Sequence, residues 1–79
     1  MKTDPQFNVA MDWIFAKLKE IEIPCSIKVL YYMADQDRVE ASRFWLNSAL
    51  WHLANEDSIK FTPDCKWQWA GKEERVKWG

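Results

Sequence analysis

The sequence predicts a mainly α domain, α+β in class, of three helices that closes with a small two-stranded antiparallel β-hairpin. Apolar residues recur every three or four positions up to about residue 55, which is the spacing of amphipathic helices. From residue 58 to 70 apolar and polar residues alternate instead, as they do in half-buried strands. Because 79 residues suit one domain, we predict a single domain over residues 1–79, with its core in 5–70 and a charged, loose tail at 71–79.

The first helix is predicted to begin at Asp4-Pro5, since Asp caps helices and Pro is favoured at the first helical position. Pro24 ends it, because proline disfavours helix in the residue before it. A second helix is predicted over Ile27–Ala34, with a cap at Cys25-Ser26 and a polar turn at 35–38. The apolar stripe of the first helix contains Phe7, Ala10, Met11, Ile14, Phe15, Leu18 and Ile21.

The third helix is predicted from about Glu40 to Asn55. Its apolar stripe, which we assign to the core, contains Leu46, Ala49, Leu50, Leu53 and Ala54. Arg43, Asn47 and Trp51 are spaced four residues apart and therefore form a row along one flank of this helix.

The hairpin is predicted from two alternating segments, 58–61 and 66–69, around the turn Thr62–Cys65. Its inner face is predicted to contain Ile59, Phe61, Trp67 and Trp69. The side chains predicted to point to water are Lys60, Lys66 and Gln68.

Composition gives no sign of an enzyme. The two cysteines, Cys25 and Cys65, form no CxxC pair, and His52 is the one histidine, so we expect no metal and no cofactor. No nucleophile or phosphate-loop motif is present, and no apolar run approaches the ~20 residues of a membrane span. These features lead us to expect a non-enzymatic, cytoplasmic protein with reduced thiols.

The formal net charge of −1 is unlike that of strongly basic nucleic-acid-binding proteins. The charge is uneven, however, because residues 58–79 carry 5 basic and 3 acidic side chains. The C-terminal part is thus compatible with nucleic-acid contact without predicting it.

The segment LNSALWHLANEDSIKFTPDCKWQW, residues 46–69, resembles the third helix and wing of winged helix-turn-helix domains, including small bacterial domains of unknown function. It is more weakly similar to the Zα domains that bind left-handed nucleic acid. The Zα pattern has a basic residue one turn before an Asn, an aromatic four residues after it, and a Pro and a Trp in the wing. The matching positions are Arg43, Asn47, Trp51, Pro63 and Trp67.

This resemblance implies that the third helix enters a DNA groove while the wing lies against the backbone. Arg43 and Asn47 would then bind phosphates, and Trp51 would lie against a base. The nucleic-acid contacts expected from the resemblance and the wing charges are Arg43, Asn47, Ser48, Trp51, Lys60, Lys66 and Trp67.

Two functions remain open from the sequence. One is a small transcriptional regulator or accessory factor that binds double-stranded DNA, as a monomer or a homodimer. The other is a protein-interaction module or small inhibitor, including one encoded by a phage, that uses surplus aromatic side chains on the same fold. Each site residue also has a structural interpretation: Trp51 packs under the wing, Asn47 is solvated, and Arg43 pairs with Glu40 or Asp37. The surplus aromatics are Phe44, Trp45, Trp51, Trp69 and Trp78.

Overall fold

The computed structural model describes residues 4–73 and confirms the predicted order of elements. Within these residues, three helices are followed by a two-stranded antiparallel sheet, which is a small α+β fold. Residues 1–3 and 74–79 lie outside the described residues, and with them Trp78 and most of the predicted tail. The elements are α1 (Pro5–Ile21), α2 (Ile27–Gln36), α3 (Arg43–Asn55), β1 (Ile59–Phe61) and β2 (Trp67–Trp69).

A side-chain cap determines where each helix begins. The Asp4 carboxylate accepts a hydrogen bond from the Gln6 backbone N–H at 2.8 Å, and Ser26 Oγ accepts one from Val29 at 3.3 Å. Ser42 Oγ caps α3 by accepting from the Trp45 backbone N–H at 3.5 Å. The predicted start of α3 at Glu40 was therefore wrong by three residues, because Ser42 ends the preceding loop in extended backbone and caps the helix. At the other end of α2, the helix continues two residues beyond the predicted Ala34.

The end of α3 directs the chain into the hairpin. Asp57 adopts a left-handed conformation (φ 61°), a region that favours glycine. The Asp57 N–H donates to the Ala54 carbonyl at 3.1 Å, and the Ser58 N–H donates to the Leu53 carbonyl at 3.0 Å. These two bonds form the Schellman motif that closes many helices. As a result, β1 begins within four residues of the last helical residue.

The core lies where α1 and α3 pack together and where the sheet covers them. The predicted stripe of α3 is buried, except that Ala54 lies at its partly buried edge. Leu30 and Ala34 attach α2 to the same core. The buried apolar side chains are Ala10, Met11, Ile14, Phe15, Leu18, Cys25, Leu30, Ala34, Leu46, Ala49, Leu50, Leu53, Ile59 and Trp67.

The hairpin pairs with a second segment that the sequence did not reveal. In β1 and β2, Ile59 lies opposite Trp69, Lys60 opposite Gln68, and Phe61 opposite Trp67. Across the other edge of β2, the backbone groups of Cys25 and Trp67 exchange two hydrogen bonds of 2.8 Å each. The loop between α1 and α2 therefore fixes the hairpin against the helices.

The segment 71–73 is not loose, which corrects the prediction for the first part of the tail. The Trp69 indole N–H donates to the Lys72 carbonyl at 2.7 Å. Lys19 Nζ on α1 donates to the Glu73 carbonyl at 2.9 Å and to its carboxylate at 3.0 Å. Lys72 Nζ in turn donates to the Glu56 carbonyl at the end of α3, at 3.4 Å. The chain beyond β2 is thus attached to both long helices.

Candidate nucleic-acid interface

Arg43, Asn47 and Trp51 are exposed together along one flank of α3. They lie one helical turn apart, so the row is about 12 Å long from its first to its last residue. Ser48, the neighbour of Asn47, is half-buried. The predicted row of side chains is therefore a continuous surface of the folded protein.

At its Arg43 end, this row borders a shallow cleft between α2 and α3. The Arg43 guanidinium lies over the ring of Tyr31, 5.1 Å from its centre. The cleft has a volume of about 340 Å³ and is lined by Lys28, Tyr31, Tyr32, Asp35 and Arg43. The sequence interpretation missed the contribution of α2, although its exposed residues recur at one-turn spacing.

Arg43 does not pair with Asp37 or Glu40 among residues 4–73, so the structural interpretation of Arg43 as an ion-pair partner was wrong. Asp37 is instead held by α1, where the Trp13 indole N–H donates to it at 2.9 Å and Lys17 Nζ lies 3.0 Å away. The hydrogen bond from Trp13, followed by that from Lys17, lowers the pKa of Asp37. Arg43 lies at the edge of the cleft, over the aromatic face of Tyr31.

At its Trp51 end, the row continues into an aromatic platform made of Trp51, Phe61 and Trp67. The Trp51 ring lies 4.8 Å from that of Trp67 and 5.4 Å from that of Phe61, and the Phe61 and Trp67 rings are 4.5 Å apart. Trp51 and Phe61 are 47% and 43% exposed, whereas Trp67 is 2% exposed. Trp51 thus both packs against the wing and presents nearly half of its surface to solvent.

Two expectations about this platform need correction. Phe61 was placed on the buried inner face, and its ring does contact Trp51 and Trp67, but it lies at the end of β1 and remains 43% exposed. Trp67 was expected to contact nucleic acid, but its buried ring supports Trp51 and Phe61 from beneath and offers almost no surface to a ligand.

The two wing lysines, Lys60 and Lys66, are both exposed. Lys60 is paired with Gln68, and neighbouring residues of a strand point to opposite faces, so Lys60 lies on the face opposite Phe61. Lys66 Nζ lies 3.9 Å from the Asp64 carboxylate, which offsets part of its charge. The pKa of Asp64 is lowered chiefly by a hydrogen bond from Thr62, within the same turn. Arg43 is therefore the cation within the row, and Lys60 lies on the other face of the hairpin from Phe61.

The corner between α3 and the wing contains a Ser, a Glu and a His in contact. Ser58 Oγ donates to Glu56 Oε1 at 3.0 Å, and His52 Nε2 lies 3.6 Å from Glu56 Oε2. The Ser58 side chain is fully buried and points its hydroxyl at the carboxylate, not at the imidazole. A fully buried hydroxyl cannot reach a substrate, so this arrangement does not present a nucleophile. The contacts instead hold the corner in place.

No protein-family model, no curated protein and no solved structure matches this chain. Among residues 4–73, no group of three His, Cys, Asp or Glu side chains is arranged to hold a metal ion.

Among the helices of residues 4–73, none is both long and apolar enough to cross a membrane.

Proposed function

We propose that this chain is a DNA-binding protein of the winged-helix type, a small transcriptional regulator or accessory factor that places α3 against double-stranded DNA. The observation that carries the proposal is the joint exposure of Arg43, Asn47 and Trp51 along one flank of α3. A guanidinium and an amide on a rigid helix suit phosphate oxygens and base edges, and an adjacent hairpin suits the backbone. The chain would act in the cytoplasm, where its two thiols stay reduced.

The charges of the surface predict a weak and mildly salt-dependent interaction. Lys28 and Arg43 supply two positive charges beside the cleft, and Asp35 opposes them. Each phosphate that a protein neutralises contributes roughly −0.9 to the slope of log affinity against log salt, so we expect a shallow slope for one protomer. A homodimer on a palindromic site would double the number of contacts.

The test is the affinity for labelled duplex DNA, measured by fluorescence anisotropy at about 50 mM and about 200 mM salt. We expect binding that weakens with salt, and a slope reduced by about one unit in Arg43→Gln. Arg38→Gln is the matched control, because it removes the same charge from an exposed residue in the turn after α2 that does not line the cleft. No binding at the lower salt, or equal effects of the two substitutions, would contradict the proposal.

A protein-interaction module, or a small inhibitor such as one encoded by a phage, is the second candidate. The exposed rings favour it: Phe44 is 67% exposed, Tyr32 64%, and Trp51 47%. Aromatic side chains are enriched in protein interfaces and often dominate their binding energy. Light scattering over a range of concentrations distinguishes the candidates. A mass that rises with concentration, together with no affinity for DNA, would favour the interaction module.

A further inference from the structure

We infer that the aromatic platform is a binding site for unpaired nucleobases, so that the protein binds single-stranded nucleic acid in addition to a duplex. The inference extends the proposed function, since it assumes that this flank of α3 meets nucleic acid. It assigns a ligand class to the ring faces of Trp51 and Phe61, which duplex contacts by Arg43 and Asn47 leave without a role.

The platform is rigid before any ligand arrives. Trp51 and Phe61 contact each other, and both rest on Trp67, which is fixed in the core by its backbone bonds to Cys25 and by its burial. A flat ring that is already held in place loses little conformational freedom on binding. An exposed Trp without such support would have to be ordered by its ligand.

The geometry of the rings favours bases that are free of a duplex. Bases within a duplex stack on one another and present only their edges in the grooves, whereas a single strand exposes the faces of its bases. The planes of Trp51 and Phe61 differ by 51°, so the two rings face different directions. Each ring therefore takes its own base, and the platform suits two bases of one flexible strand.

The rest of the flank, Asn47 and Arg43, can bind the phosphate backbone of that nucleic-acid strand. Asn47 and Arg43 continue from Trp51 over about 12 Å, which covers roughly three or four phosphates of a stacked strand. One guanidinium and one amide give little electrostatic attraction in a chain of net charge −1. Stacking is the interaction that can supply the missing affinity, because it does not depend on the charge of the protein. A polar and cationic continuation of this kind also favours nucleic acid over an apolar protein surface.

The test compares labelled strands of about 20 deoxythymidines or uridines with a duplex of the same length, by anisotropy of the full chain at about 50 mM salt. We expect both strands to bind. Trp51→Leu and Phe61→Leu should each weaken strand binding by about 5- to 150-fold, the range that corresponds to the loss of one stacked base. Duplex binding should change by less than about twofold in Phe61→Leu, because Phe61 lies outside the row that is proposed to meet the duplex.

The variants keep an apolar side chain over Trp67, and their thermal unfolding is measured to show that the fold is retained. Trp51→Phe should preserve most of the affinity, because it keeps an aromatic face at the same position. Ile23→Ala, which truncates a side chain that is 62% exposed outside the platform, should leave strand binding unchanged.

Three results would overturn the inference, and they have different consequences for the proposed function. Duplex binding with no strand binding would refute the platform as a base-binding site and leave the duplex proposal standing. Strand binding that survives both leucine substitutions would place the strand elsewhere. Binding to neither form of nucleic acid would refute both proposals and favour the interaction module.

Discussion

The two sides of α3, a helix of 13 residues, have opposite roles. One side, containing Leu46, Ala49, Leu50 and Leu53, is buried against α1, α2 and the hairpin. The other carries Arg43 and Asn47, which are exposed and are not part of the core. The buried stripe therefore stabilises the fold, and the exposed flank remains available to bind a ligand.

Trp51 is the residue at which the two sides meet. Its ring packs against the buried Trp67, but nearly half of its surface is exposed beside Asn47. A change at Trp51 therefore alters both packing and surface. For this reason, the leucine substitution is a cleaner probe of binding than alanine, since it retains an apolar cover over Trp67.

The largest expected effect contrasts Leu50→Ala with Asn47→Ala, three residues away. Leu50 is fully buried, so its truncation should lower the free energy of unfolding by about 2–5 kcal/mol through lost burial and a cavity. Asn47→Ala should change it by no more than about 0.5 kcal/mol, because its side chain is exposed. Urea denaturation measures both values. A large loss in Asn47→Ala would show that the flank is structural and would remove the contrast.

A smaller effect on the free energy of unfolding is expected for a substitution just after the C-terminal end of α3. Asp57→Gly should raise the free energy of unfolding by about 0.5–1 kcal/mol, because Asp57 holds a left-handed conformation that glycine adopts without a Cβ clash. Asn55→Gly, at the last residue of α3, is the control and should destabilise the protein, because glycine is disfavoured in helical backbone. Thermal denaturation distinguishes the two. A loss of stability in Asp57→Gly would show that the Asp57 side chain has a stabilising role of its own.

The smallest effect concerns an exposed contact distant from α3. The hydrogen bonds from Trp13 and Lys17 hold the pKa of Asp37 below its ordinary value of 3.8. Because the folded pKa is lower than the unfolded one, this carboxylate stabilises the fold above about pH 4, and the contribution is lost as the pH falls through the folded pKa. Asp37→Asn should therefore reduce the difference in melting temperature between pH 7 and pH 3.

Asp35→Asn removes the same charge from the same end of α2 and serves as the control for Asp37→Asn. The two variants should differ in their pH dependence, because the bonds from Trp13 and Lys17 are made to Asp37. Equal pH profiles would mean that the contact with α1 contributes nothing measurable.

The order of the elements could be predicted because it depends on local signals. The caps at Asp4 and Ser26, the break at Pro24 and the change of period after residue 57 all act within a few residues of the chain. The start of α3 was predicted too early, at Glu40, although the Ser42 cap that determines it is also a local signal. The Ser42 backbone N–H in addition donates to Gln6 of α1 at 3.0 Å, a contact that the sequence does not reveal.

The candidate site was predictable in part. The row of Arg43, Asn47 and Trp51 follows from the helical period, since residues four apart share a flank. The exposure of Phe61 does not follow from alternation, which predicts the face of a strand but not how far the helices extend beneath it. The same limit applies to Trp67: alternation places it on the inner face, and only its contacts show that it supports a surface.

The sequence by itself determined the three helices, the hairpin and the row on α3, because each depends on the spacing of side chains along a regular backbone. The tertiary structure decided which side chains meet across elements. It brought Cys25 beside Trp67, joined Trp51 to Phe61, and attached residues 71–73 to α1 and α3. These contacts join residues that are distant along the chain, and their geometry depends on how the elements pack. The aromatic platform is therefore a property of the folded molecule, built from a helix and a hairpin that the sequence predicts separately.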